Sequence, residues 1–397
     1  MKSIREVLSP LLIISYVLGL RLWIIELSIA HLRSWFGISY MLSFWLIYYI
    51  IFETKIISHI NDDIHYSTEF LISFWIDIFI TLLTIVFGTY YNKKCRNCLK
   101  KLDIVDDTLL KIGITTDYHK LHKKSMLLIL GWFITVILIT WGMALWMNIA
   151  FNFSILTTLY IHFMRNYFTY INIIDDLIIA SLLGYVGLKF DQVNGYLVNI
   201  SKDNKYDVKQ TQENPVLLSY QHTFPKTPNK EWMTWILMHL HLELRRISYE
   251  INSIFGIQMT IKMGCIFFWL TLDLREIFSV ILINNYIRCN RILYIIIIAF
   301  WIIQNIAKLF LINYMCETVS AKANATRNLI NRMQYSTYNV EIRENISQFL
   351  LQMAQIPVKF YGIGLFQFGY KFLQKFSVLI TSVVVLLMQT YVNKLAF

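Results

Sequence analysis

Charge is scarce in this chain. Asp, Glu, Lys and Arg make up only 15% of its 397 residues, against about 25% in an average soluble domain. Cysteine is scarce as well, with Cys95, Cys98, Cys265, Cys289 and Cys316 the only five; only Cys289 falls in an expected outer connection, so no outer disulfide is expected. Cys95 and Cys98 form a lone C-x-x-C without the further ligands a zinc site needs, so reduced cytosolic thiols are expected and no metal or cofactor is. Catalytic signatures are missing too: there is no Walker loop, no H-E-x-x-H and no G-x-S-x-G, and enzyme activity is not expected. His239 and His241, two apart, fall on different faces of a helix and read as solvated. Internal repeats and low-complexity tracts are absent.

What fills the chain is apolar. Hydrophobic residues reach 56% and mean hydropathy is +0.51. Runs of about 20 residues, enough to cross a bilayer as a helix, occur near 34–57, 69–91, 125–150, 157–187, 255–284, 290–315 and 377–395. The fold class expected is an all-α polytopic membrane protein with seven transmembrane helices.

The formal net charge of +11 would suit nucleic acid, but its distribution points to a membrane. Lys and Arg number 4 in the N-terminal segment, 9 in 92–124, 8 in 188–254 and 7 in 316–376, and no intervening connection holds more than two. Positive loops stay in the cytosol. The expected topology has a cytosolic N-terminus and an extracellular C-terminus, with membrane lipid and not nucleic acid as partner. A G-protein-coupled receptor needs the reverse topology, and neither Asp-Arg-Tyr after the third span nor Asn-Pro-x-x-Tyr in the seventh is present.

The start, KSIREVLSPLLIISYVLGLRLW, imitates a signal peptide but is interrupted by Pro10 and Arg21, so a retained, partly embedded segment is expected. LDIVDDTLLKIG has helical spacing and is expected to extend the second span. The 196–229 stretch, with Pro215, Pro225 and Pro228, is expected to be a flexible loop. Residues 316–350 are expected to leave the membrane as a helix. Of four Asn-x-Ser/Thr acceptors only Asn152 falls in an outer connection, so it is the candidate glycosylation site.

The candidate site comes from ionisable residues inside the spans. A charge at the bilayer centre costs roughly 2.5–3.5 kcal/mol unless it meets a partner or water. Asp77, His162, Arg165 and Asp273 fall in the outer half, accompanied by Trp75, Trp146, Tyr170, Trp269 and Trp301, with Gln304 and Asn305 a turn beyond Trp301. Polar groups among aromatics suit a small-molecule pocket; an interfacial aromatic belt with structural ion pairs is the alternative. Asp175, Asp176, Arg275, Glu276 and Lys308 are further charges in the spans. In the last span, Ser382, Val385, Leu386, Gln389 and Asn393 share one helical face. Such a stripe either hydrogen-bonds helices together or faces water in a pore.

The stretch FYGIGLFQFGYKFLQKFSVLITSVVVLLMQT, residues 360–390, resembles the end of the insect gustatory receptors, which close on Thr-Tyr, five apolar residues and Gln-Phe. Here Ser382 stands for the threonine and Gln389 is the glutamine, while Val383 and Thr390 depart from the two aromatics. VLSPLLIISYVLGL, LDIVDDTLLKIG, LKFDQVNGYL, HLHLELRRISYEINSIFG and CETVSAKANATRNLI resemble further family segments in the same order. The resemblance implies a ligand-gated, non-selective cation channel in the plasma membrane of a sensory neuron, a homotetramer or heterotetramer with related receptors. It implies S1–S6 as the sensing part within 1–315, an anchor over 316–376 and a pore-lining last helix over 377–397. Sugar-sensing members carry a glutamate where this chain has Val384, so a bitter, aversive or other small-molecule tastant is implied. A non-conducting accessory subunit is the alternative that the departures at Val383 and Thr390 keep open.

Overall fold

The computed structural model describes residues 3–20, 39, 43, 46–48, 50, 68–151, 154–213, 230–282, 290–334 and 340–395. Helices dominate: α1 (Ile4–Val17), α2 (Thr68–Tyr90), α3 (Asn92–Lys111), α4 (Tyr118–Phe151), α5 (Ile155–Glu213), α6 (Lys230–Leu282), α7 (Arg291–Gln334), α8 (Val340–Gln355) and α9 (Tyr370–Leu395). A two-residue hairpin, β1 (Tyr361–Gly362) and β2 (Phe366–Gln367), precedes α9. The chain is an all-α polytopic membrane protein. Four described helices are long and apolar enough to cross a membrane, over Tyr118–Ile149, Ile155–Ile200, Arg291–Arg332 and Tyr370–Gln389, and the bent pair α2–α3 makes a fifth. The expected 34–57 span lies largely outside the described residues, and its described positions, Ser39, Ser43, Leu46, Ile47, Tyr48 and Ile50, are helical. The expected 255–284 span is the second half of α6, which Lys262, Asp273, Arg275 and Glu276 make the most charged of the long helices there.

Helix ends follow local chemistry. At the end of α3, Gly113 takes φ +87°; its N–H bonds to Leu110 O and the Ile114 N–H to Leu109 O, both at 2.9 Å, which satisfies two orphan carbonyls. Gly19 ends α1 the same way, at φ +75°. Pro10 sits inside α1 and deprives the Glu6 carbonyl of its usual N–H donor. The Ser9 hydroxyl donates to that carbonyl instead, at 2.8 Å, and the helix runs on to Val17. The helix buries Ile4, Leu8, Leu11 and Leu12 in the main core.

The second span does continue into α3, but with a 64° bend at Tyr91. Cys95, Cys98, Leu102, Val105 and Leu109 form the buried face of α3, and burial pushes the Cys98 thiol up to about 12. The polar 196–213 stretch, expected as loop, is a continuation of α5 to Glu213. The 196–213 stretch holds no proline, so nothing in it breaks the helix. Residues 214–229 lie outside the described residues, as do Asn152 and Cys289.

His241 is a correction. It is only 1% exposed, not solvated, and lies between the Phe190 and Phe349 rings at 5.2 and 5.6 Å. His239 does stay exposed, stacked on Trp235.

Candidate functional site

A cavity of about 220 Å³ opens between α2, α4, α5, α6 and α7. From α5 come His162, Arg165, Asn166 and Thr169, and α2 supplies Asp77. Trp269 and Asp273 project from α6, while Trp301, Asn305 and Lys308 come from α7. Met143 on α4 completes the wall. The α7 residues recur at spacings of four and three, so they share one helical face.

The polar groups hold one another in place. Thr169 Oγ1 donates to Asp77 Oδ2 at 3.0 Å. Asn305 Nδ2 donates to Asp273 Oδ2 at 3.1 Å. Arg165 donates to Asn166 Oδ1 at 3.0 Å. Two groups are unmet among the described residues. Both ring nitrogens of His162 are buried without a hydrogen-bond partner. Lys308 forms no hydrogen bond or close ion pair there and lies in the combined field of Asp176, Asp77 and Asp273. Unmet polar groups beside two tryptophans suit a compact ligand with an aromatic or apolar body and hydrogen-bonding substituents.

Seven of the eleven residues expected from sequence meet on this wall: Asp77, His162, Arg165, Trp269, Asp273, Trp301 and Asn305. The other four sit elsewhere. Trp75 is 62% exposed on the outside of α2. Trp146 packs on Tyr294 with ring centroids 4.9 Å apart. Tyr170 is buried in a cluster with Val136, Ile139 and Trp301, and its hydroxyl bonds to Thr140 at 2.8 Å. Gln304 is buried outside the wall, and its amide has no partner among the described residues. Met143, Asn166, Thr169 and Lys308 join the wall in addition. Lys308 was visible as a charge within a span; the other three are uncharged and carry no such signal.

Beneath the cavity lies a buried ion cluster. Lys262 Nζ sits 2.7 Å from Asp175 and 2.6 Å from Asp176. Gln258 donates to Asp175 and, at 3.1 Å, to Thr84, and Asn172 donates to Thr81 at 3.2 Å. Thus α2, α5 and α6 are tied one to three turns below the cavity residues on each helix. Lys262 carried an ionisable signal within an apolar span, but only the fold pairs it with the two aspartates.

The last helix presents Ser382, Val385, Leu386 and Gln389 on its exposed side, while Ile380 and Val384 face the core. Asn393 follows in its final turns.

A family model for the 7tm chemosensory receptor matches residues 8–393. The chain belongs to the 7tm chemosensory receptor family. The relatives of this receptor include putative gustatory receptor 28b of Drosophila melanogaster, 20% identical over 319 residues, which cover 77% of this chain and 67% of that protein. Among solved structures, the insect olfactory receptor OR5 from Machilis hrabei in complex with eugenol matches with a TM-score of 0.64 at 10% identity, over 97% of this chain and 98% of that chain. A second structure of OR5 gives 0.57 at 11% identity over the same shares. At such identities the likeness is one of fold. The chemosensory family is a receptor family and not a family of enzymes.

Proposed function

We propose that the chain is a gustatory receptor subunit of the sensory-neuron plasma membrane that binds a small-molecule tastant in the cavity and opens a non-selective cation pore. The observation that carries this proposal is the cavity itself, where His162 and Lys308, unmet among the described residues, share a wall with Trp269 and Trp301. The charge distribution along the chain orients it toward the outer face. Buried hydrogen-bonding groups discriminate strongly against ligands that leave them unmet, which suits a bitter or aversive compound over a merely greasy one. The pore belongs to α9 of a homotetramer or heterotetramer, whose exposed stripe of Ser382, Val385, Leu386 and Gln389 supplies a polar rung beside an apolar constriction.

The test is whole-cell recording from the receptor expressed alone and with related subunits, against a panel of aromatic, hydrogen-bonding tastants. A tastant-evoked cation current is expected, with Trp301→Ala raising the half-maximal concentration by roughly tenfold, about 1.4 kcal/mol, at unchanged surface expression. Gln389→Ala is expected to alter single-channel conductance or resting leak while leaving that concentration in place. Currents that appear only with a partner and are indifferent to Gln389→Ala would favour the accessory-subunit role, on which the departure at Val383 bears.

A further inference from the structure

A second cavity, of about 230 Å³, lies at the opposite end of the bundle from the first and is walled by α1, α4, α5 and α7. The Asp175–Lys262–Asp176 cluster stands between the two levels. The cavity is polarised along its length. At the end deeper in the membrane it is lined by Leu128, Leu177 and Leu311, and at the other end by Lys124 and Lys322. Both helices that bring a lysine, α4 and α7, run from basic to apolar in the same direction, while α5 lines the cavity with no basic residue; the basic end is the one joined to the Lys/Arg-rich segments, the cytosolic end by the positive-inside rule.

Small residues make the space. Ala180, Ser181 and Gly184 form the α5 wall, and a Cβ on Gly184 would already touch Met315 Sδ at 3.7 Å. Near the basic end, Ser125 is 4% exposed and lines the cavity, and its hydroxyl has no hydrogen-bond partner among the described residues. A buried hydroxyl left unmet is costly, so its presence beside two lysines marks a place for an acceptor. Lys322 is held by Asp191, whereas Lys124 is exposed on the rim, next to Lys123 and four residues after Lys120.

We propose that this cavity holds an anionic phospholipid of the cytosolic leaflet, one acyl chain against the leucines and the headgroup phosphate at Lys124 and Ser125. Basic pockets between transmembrane helices on the cytosolic side recognise such headgroups, and the direction of polarity matches how a leaflet lipid stands. The α1 residues Ile4, Val7 and Leu8 close the cavity, so the lipid also packs against the N-terminal helix. The site is separate from the tastant cavity and does not depend on its assignment.

The test uses the full-length receptor reconstituted in nanodiscs of equal phosphatidylcholine and phosphatidylserine, re-extracted in detergent, with retained lipid counted by mass spectrometry. The ratio of retained phosphatidylserine to phosphatidylcholine is expected to be about fivefold that of the bulk bilayer, which is the worth of one lysine near an anionic surface, about 1 kcal/mol. Lys124→Gln is expected to abolish the enrichment and Lys124→Arg to keep it. Ser181→Phe, which fills the cavity, is expected to abolish it as well; if that variant does not fold, the Gln and Arg pair at Lys124 decides. Equal retention of both lipids by the unmodified receptor would overturn the proposal, as would an enrichment indifferent to Lys124→Gln. Displacement by an equal mole fraction of oleate would also overturn it, by assigning the cavity to a fatty-acid carboxylate.

Discussion

The side-chain oxygen of Asn313 accepts the backbone N–H of Gly369 at 3.0 Å. Asn313 lies on the helix that carries Trp301, Asn305 and Lys308, and Gly369 is the residue before α9. The same asparagine donates to the Leu309 carbonyl at 2.8 Å, so its amide is fixed and aimed. One turn on, Glu317 accepts the Tyr370 N–H at 3.4 Å. Gly369 has φ +138° and a Cβ there would collide with the Glu317 carboxylate. The hairpin before it is docked on α6, where Asn252 accepts the Tyr361 N–H at 3.0 Å. The two helices that supply five of the cavity residues therefore also hold the start of α9.

Asn313→Ala leaves the buried Gly369 N–H without an acceptor. The expected cost is roughly 1–3 kcal/mol, read as a lower midpoint in thermal unfolding of the purified receptor. In recordings, the same variant is expected to reduce the maximal tastant-evoked current more than it shifts the half-maximal concentration. A variant that melts and gates like the unmodified chain would show that this bond does not transmit between α7 and α9.

Lys262→Met strands two carboxylates in the membrane interior. Breaking a buried ion pair by removing one partner costs about 3–5 kcal/mol, so the monodisperse yield in detergent is expected to fall sharply. The triple variant Lys262→Met, Asp175→Asn, Asp176→Asn removes the stranded charge and is expected to recover most of it. Tolerance of Lys262→Met alone, or failure of the triple variant to recover the yield, would show that the cluster is not what holds α5 to α6.

His241 titrates outside the membrane-spanning segments. Burial, with Arg245 nearby, pushes its pKa down from 6.5 to about 3. Below pH 6.5 the unfolded chain binds a proton that the folded one refuses, so stability falls with pH, by about 1.4 kcal/mol per unit, until the folded pKa is reached. His241→Phe removes this dependence while keeping an aromatic ring against Phe190 and Phe349. The melting temperature of the variant is expected to decline less between pH 7 and pH 5 than that of the unmodified receptor. Parallel declines would place the acid sensitivity on other groups.

Much of the cavity was legible because charge is so rare in this sequence. Asp77, His162, Arg165 and Asp273 stand out in apolar spans, and hydrocarbon forces each toward protein or water. Asn166 and Thr169 are not legible, because α5 is buried on nearly every side near its middle and has no single polar face to read, and Met143 on α4 is one apolar residue among many. Trp75 and Trp146 failed to join the wall for a related reason: an aromatic in a span is as stable on the outer surface or against another ring as in a cavity. The helical extension to Glu213 was hidden by its polar composition, which suits a protruding helix as well as a loop; the absence of proline until Pro215 was the signal. The bend at Tyr91 has no counterpart in the apolar periodicity, which runs through it uninterrupted.

The Asp175–Lys262–Asp176 cluster has a consequence for where ions can travel. It lies across the interior of the helix bundle, with an ammonium gripped by two carboxylates and the neighbouring amides of Gln258 and Asn172 bonded to α2. A cation descending from the proposed tastant cavity would meet a positive charge fixed in its path by two carboxylates. On the proposed reading of the chain as a channel subunit, this sets the current between copies and not through the helices of one, with the subunits standing around it like staves.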